Sequence, residues 1–390
     1  MGTSLGAWAA LGPADGAGAL AGSSAALMEE GMGVFRGALA VPCWTRCASP
    51  TGWPQLLQKR PPGSRRKPQR VQGVLAIGDV YRGPRRGVNA RVLLKGVRGR
   101  ASVTPSMLDF ARHDDVLSLP APYRLFWEEA RSLVPFDALA CDPVRTLAWG
   151  TDASFYRLVP KIVVKVRSEA EVVRLVRLAA SLELPVTFRA AGTSLSGQAV
   201  TDSILIALGS GFKRREVKDG GERIVLGPGV IGAEANAALA PFGRKIGPDP
   251  ASIASCMIGG IVANNASGMC CGTTQNSYRT LESLKLVFAD GTRLDTGDPA
   301  SRAAFSAARP EVVKGLAQLR DEVAADRELS ERIRRKYRLK NTTGYGLNAL
   351  VDFHDPFDIL AHLMVGSEGT LAFVSEVTFR TVEEHAHRAS

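Results

Sequence analysis

The sequence predicts an α+β fold on two observations. A strand–helix–strand–turn order runs from Ile162 to Gly197, and the later stretch alternates short apolar strands with a charged hairpin-like excursion and amphipathic helices. Regular patterning begins near residue 105. Leu119 to Leu139 reads as one amphipathic helix or two short ones, whereas Thr146 to Leu158 mixes polar and aromatic residues with no firm period. Ile162 to Val166 is a strand, and Ser168 with Glu171 forms a capping-box signal for a helix whose apolar face is Val172, Leu175, Val176 and Ala179.

Pro185 to Phe188 is a second strand and leads into a turn at Gly192. Ile204 to Leu208 and Ile224 to Leu226 are further strands, joined by the charged stretch Lys213 to Glu222, and Gly232 to Ala240 is a short helix. Pro248 to Gly272 reads as a loop and a close-packed short helix. Leu284 to Phe288, Gly291 and Arg293-Leu294 give a strand, a turn and a strand edge. Pro310 opens a helix with Val313, Leu316, Leu319 and Val323 on one face, and a second helix runs toward Tyr337. After the polar turn Asn341 to Gly346, Phe357 to Leu363 is helical and Leu371 to Val374 is a strand.

The 390 residues, 45% hydrophobic, suffice for two or three domains with substantial cores. The net charge of +11 is unevenly placed: residues 1–100 hold 15 Lys and Arg against 4 Asp and Glu, and residues 101–390 hold 34 of each. The first hundred residues therefore read as a basic, disordered or non-homologous extension. Nucleic-acid binding through this extension is the weaker alternative, because no aromatic interleaving accompanies the charge. Residues 101–158 form a helical lead-in, 159–300 a first subdomain, and 301–390 a helical insertion and the remainder of the domain.

No signal peptide or spanning helix is expected near the start, since Asp15 interrupts the apolar stretch and no positive residue precedes it. Six cysteines form no disulfide framework, which favours a reducing, cytoplasmic setting; peripheral membrane association stays open. Cys270-Cys271 lacks a second pair or nearby histidine, so neither a metal site nor an iron–sulfur cluster is expected in this chain.

Arg189-Ala-Ala-Gly-Thr-Ser-Leu-Ser-Gly-Gln198 is the most informative segment. Gly192 and Gly197 permit close backbone approach, and Thr193, Ser194 and Ser196 add hydroxyl donors beside Leu195, a composition suited to a pyrophosphate but shared with solvated loops. Cys256 to Gly268 combines Gly259 and Gly260 with Asn264, Asn265 and Ser267, residues able to line a ligand. Neither the nicotinamide G-x-G-x-x-G spacing nor a Gly-Lys-Ser/Thr phosphate loop is present, so NAD and ATP are weak candidates.

Four segments in one order, 189–198, Gly247-Pro-Asp-Pro-Ala-Ser252, 256–268 and Gly366-Ser-Glu-Gly-Thr370, make residues 159 to about 380 resemble the FAD-binding domain of the vanillyl-alcohol-oxidase and para-cresol-methylhydroxylase type. The flavin portion of large D-lactate dehydrogenase-like proteins with an iron–sulfur module is the nearest form. The resemblance implies a two-subdomain fold, with Arg189 to Gln198 around the FAD pyrophosphate. It also implies Pro248, Asp249, Ser252, Cys256, Gly259, Gly260, Asn264, Asn265, Ser267 and Gly268 beside the flavin and its ribityl chain, and Glu368 and Gly369 enclosing the cofactor. Thr193 stands where some relatives carry a flavin-linked histidine, which implies non-covalent FAD.

By the same resemblance the reaction is hydride transfer from a D-2-hydroxy acid, with D-lactate the first expectation, followed by electron transfer to a carrier or iron–sulfur partner. The substrate cap of this family is expected to be absent and the chain alone catalytically incomplete. Tyr278, Arg279 and Arg338 are the substrate-side candidates, and none of His354, His362, His385 and His387 is assigned as the base. A flavin-binding subunit completed by another chain is the second expectation.

Overall fold

The computed structural model describes residues 113–385. The basic extension 1–100, the start of the lead-in and His387 lie outside the described residues. Helix α1 (His113–Leu117) and α2 (Ala121–Leu133) open the fold, followed by strand β1 (Leu139–Ala140) and the short α3 (Pro143–Ala148). Helix α3 is the first departure from the sequence pattern. Asp142 caps it by accepting from the Arg145 N–H at 3.0 Å, and Pro143 starts it.

The first sheet has strand order β1-β2-β4-β3, with β2 (Ile162–Val166), β3 (Val186–Arg189) and β4 (Ile204–Leu208) parallel and β1 antiparallel to β2. Apart from the exposed Lys165, its β2 and β4 side chains are buried or nearly so on both faces, as parallel strands covered on two sides require. Helix α4 (Glu169–Ser181) packs Val172, Leu175, Val176 and Ala179 onto one face beside Phe126 and Trp127 of α2. Val163 and Leu205 fill the other face against Trp149. The cap of α4 forms as expected from Ser168, which accepts from the Glu171 N–H at 3.3 Å. The reciprocal bond differs: the Glu171 carboxylate accepts from the Arg167 N–H at 2.5 Å rather than from Ser168.

The second sheet has order β5-β6-β10-β8-β9 and is antiparallel, with β7 (Arg244–Ile246) pairing the far end of β10 (Phe373–Glu383). Its strands β5 (Arg215–Lys218) and β6 (Arg223–Leu226) form the hairpin expected from the charged stretch, and β8 (Leu281–Val287) turns at Gly291 into β9 (Arg293–Asp295). Helices α5 (Gly232–Leu239), α6 (Ile258–Asn264) and α7 (Ser277–Thr280) precede β8, and α8 (Pro299–Ala308), α9 (Pro310–Ala325) and α10 (Arg327–Lys336) follow β9.

Two further helices, α11 (Ala349–Asp352) and α12 (Pro356–Met364), close the second core. Val312, rather than Val313, is the fully buried position of α9; Val313 packs at the margin. Strand β10 is 11 residues long, far beyond the expected 371–374, and joins the 301–390 segment to strands of the 159–300 segment.

Candidate cofactor-binding site

The turn expected to meet a pyrophosphate leaves the carboxyl end of β3, an edge strand of the parallel sheet. Crevices beyond the carboxyl ends of parallel strands are where ligands of open α/β sheets sit. Gly192 and Gly197 hold φ of +69° and +79°, conformations that side chains with a Cβ resist. Within the turn the Ser194 hydroxyl bonds Gln198 Oε1 and accepts from the Ser196 N–H at 3.3 Å. Leu195 and Ser196 point outward, Leu195 with 74% exposure.

The lead-in buttresses this turn from behind. Arg189 donates to the Trp149 carbonyl at 3.0 Å and lies over the Trp149 ring, Ala153 N–H donates to the Gly192 carbonyl at 3.0 Å, and the Tyr156 ring covers Gly197. Asp152 fixes the bend by accepting from both the N–H and the hydroxyl of Ser154, leaving its Oδ2 buried without a partner. The aperiodic stretch 146–158 is therefore a supporting wall. An Asp-x-Ser turn signal at Asp152 was the feature that could have marked it.

Three of the four segments meet directly. Glu368 Oε1 accepts from Asn264 Nδ2 at 2.6 Å and from Gln198 Nε2 at 3.4 Å, and the Glu368 N–H donates to the Ala263 carbonyl at 2.9 Å. Burial pushes the Glu368 carboxyl above the usual carboxylate range despite these two donors. Gly260 faces open space: a Cβ there would meet only the Ala190 Cβ, at 3.9 Å. Gly259 instead packs on Pro228, where a Cβ would fall 2.9 Å from the proline Cβ, so its lack of a side chain lets the helix approach that residue. Gly369, at φ +73°, approaches Phe188.

The remaining segment braces the loop after α6. Asp249 Oδ1 accepts from the Gly268 N–H at 2.9 Å and the Cys271 N–H at 3.2 Å. Burial raises the Asp249 carboxyl, yet these bonds outweigh it and leave it below the ordinary aspartate range. Pro248 is buried, and the Ser252 carbonyl accepts from the Cys256 N–H at 2.8 Å. The Cys256 thiol sits in the second core rather than on the rim, and burial raises it. Ser267 is buried with its hydroxyl unpartnered, while its carbonyl accepts from Lys340. The Asn265 side chain accepts from the Tyr278 N–H at 3.3 Å.

Of the substrate-side candidates, Tyr278 and Arg279 line a shallow cleft with Asn265, Asn341 and Gly366. The Tyr278 hydroxyl donates to Asp352 at 3.0 Å; burial raises it, and Asp352 adds to the rise. Arg279 stacks on Tyr278 and lies 3.7 Å from Asp352. Arg338 is exposed and outside that lining, although its neighbours Tyr337 and Leu339 belong to it. His354 and His385 are exposed; His362 is buried, stacked on Phe353 at 3.9 Å between centroids, and lowered by burial. Among the described residues no cluster of His, Cys, Asp or Glu has the makings of a metal site, and no helix is long and apolar enough to cross a membrane.

A glycine turn at a strand end, an open glycine on a facing helix and a third loop bonded to both come together in one place. Residues 160–297 match the FAD binding domain family, in keeping with the resemblance that the four segments carry. The chain is 31% identical over 237 residues to a D-2-hydroxyglutarate dehydrogenase of Pantoea ananatis, covering 59% of this chain and 23% of that protein. It is 32% identical over 149 residues to the glycolate oxidase subunit GlcD of Escherichia coli, covering 38% of this chain and 30% of that one. A D-lactate dehydrogenase of Archaeoglobus fulgidus is 27% identical over 223 residues, covering 56% of this chain and 38% of that enzyme. The matches thus span between about a quarter and two fifths of the relatives' own lengths.

Proposed function

We propose that the chain holds FAD non-covalently and forms the flavin-binding part of an oxidoreductase acting on a D-2-hydroxy acid. The observation that carries this reading is the junction of the 189–198 turn and α6, both inside the segment that matches the FAD binding domain, with the 366–370 loop through Glu368. The buried, unpartnered Ser267 hydroxyl and the space beside Gly260 fit a polar ligand with an extended body. When bound, FAD supplies a hydride acceptor.

The chain's own residues perform the holding. Amides and hydroxyls of Thr193, Ser194 and Ser196 would donate to pyrophosphate oxygens, and Gly260 leaves room on the facing helix. Thr193 offers no imidazole for a covalent link. The relatives named for D-2-hydroxyglutarate, glycolate and D-lactate share an α-hydroxy carboxylate, which supports that substrate class. D-Lactate is the first member to test, and Tyr278 and Arg279 are the substrate-side positions in reach of Asn265. A carrier or iron–sulfur partner would take the electrons onward.

The visible spectrum of the purified 390-residue chain, before and after denaturation, tests the reading. Intact FAD released into solution is the expected result. Flavin retained on the denatured protein would defeat the non-covalent assignment, and no flavin after attempted reconstitution would defeat the cofactor itself. Anaerobic mixing of loaded protein with D-lactate, glycolate and D-2-hydroxyglutarate then tests the substrate side: little or no bleaching is expected of the chain alone, and rapid bleaching by one of them would overturn its expected incompleteness and name the substrate.

A further inference from the structure

We propose that Glu368 is the positioning residue of the cofactor site, its Oε1 accepting from both Gln198 and Asn264 and so locking the two side chains in place. This rests on the FAD-binding reading for its ligand and on geometry for its mechanism. Both amide donors converge on the same atom, Oε1, from segments 170 and 104 positions away. One carboxyl oxygen with two lone pairs satisfies both donors.

Among the described residues, the surroundings supply Glu368 with no charged partner. Segments 190–198, 257–268 and 366–372, which supply the partners and flanking backbone of Glu368, contain no other titratable side chain. Arg189, at the root of the turn, is turned onto Trp149 instead. Among the described residues the Glu368 carboxyl has two amide donors, which favour its charged form, and no cation; burial is what opposes that form. Its backbone is also held at φ +54°, a conformation uncommon for a residue with a Cβ, between Gly366 at +86° and Gly369 at +73°. The Glu368 and Gly366 N–H groups donate to the Ala263 and Val262 carbonyls at the end of α6, which keeps the loop there. The direction of the carboxyl's titration agrees, since burial raises it.

Glutamine at this position keeps an Oε1 acceptor and cannot ionise; alanine removes the acceptor. Wild type, Glu368→Gln and Glu368→Ala full-length proteins are compared by FAD titration and by denaturant unfolding of the apo-protein, from about pH 5 to about pH 8. Glu368→Gln should hold FAD within about twofold of wild type and Glu368→Ala should lose about tenfold or more, the loss expected for two hydrogen bonds. A raised carboxyl means that the folded state keeps its proton longer than the unfolded state does. Wild-type stability is then present in full at low pH and falls as pH rises above the ordinary glutamate value, and Glu368→Gln should lack that fall.

Equal damage from Gln and Ala, or the same pH slope in wild type and Glu368→Gln, would overturn the proposal. If Glu368→Ala does not fold, the Gln variant and the slope still decide it. Should wild type bind no FAD while the slope difference persists, the cofactor reading fails and the Glu368 assignment stands.

Discussion

A side-chain carbon at Gly192 would fall 2.6 Å from the guanidinium of Arg189, whereas one at Gly260 would meet only Ala190, at 3.9 Å. The two glycines therefore protect different things. The first lets Arg189 fold back beneath its own turn, and the second keeps space clear on the facing helix.

Gly192→Val should accordingly weaken FAD binding and lower stability together, since it adds strain at φ +69° of about 1–2 kcal/mol and displaces Arg189. Gly260→Val should weaken FAD binding while thermal unfolding of the apo-protein stays close to wild type. Paired titration and melting measurements separate the two; unchanged affinity in Gly260→Val would remove this helix from the pocket.

Thr193→Ala should reduce FAD affinity by about 1 kcal/mol, the worth of one net hydrogen bond, and leave the cofactor as releasable as in wild type. A titration showing a loss larger than that of Gly260→Val would mean that the hydroxyl, rather than the backbone, dominates the turn.

Asp249→Ala should destabilise the fold by about 1–3 kcal/mol by leaving the Gly268 and Cys271 N–H groups without their acceptor. The Asp249 carboxyl is held below its ordinary value of 3.8, so its stabilising contribution is present above that value and is lost as pH falls through the lower folded value. Denaturant midpoints should show a shallower loss at acid pH in Asp249→Asn than in wild type.

His362 is held neutral by burial, with its Nδ1–H donated to the Asp358 carbonyl at 2.7 Å. Its stabilising contribution is thus present above the ordinary histidine value of 6.5 and declines as pH falls below it, because the unfolded chain gains the proton first. His362→Phe keeps the ring contacts with Phe353 and Tyr278 and should flatten this acid limb. Identical pH dependence of unfolding in the two proteins would show that the imidazole titrates freely.

Local signals in the sequence identified what local forces build. Ser168 and Glu171 marked the start of α4, Val172 to Ala179 its buried face, and Gly192 the sharp turn, because each depends on neighbours a few residues away. Helices α3 and α8 escaped notice although Asp142-Pro143 and Asp298-Pro299 cap them: α8 buries only Phe305 and so lacks an apolar period. In β10 the alternation is interrupted to the eye by Ser375, a buried hydroxyl bonded to Glu169 at 2.6 Å. The site was legible as segments and not as a junction, since the Gln198–Glu368 bond spans 170 positions and no periodicity encodes it.

Strand β10 also sets an order of events. It is an interior strand of the antiparallel sheet, flanked by β6 and β8 and continued alongside β7, yet it is the last of these to leave the ribosome. Until residues 373–383 emerge, β6 and β8 each lack one neighbour, and their unpaired N–H and C=O groups are open to other chains. Synthesis of this protein therefore includes an interval in which half of a sheet waits for its centre, when a chaperone has most to protect and a pause in translation most to harm.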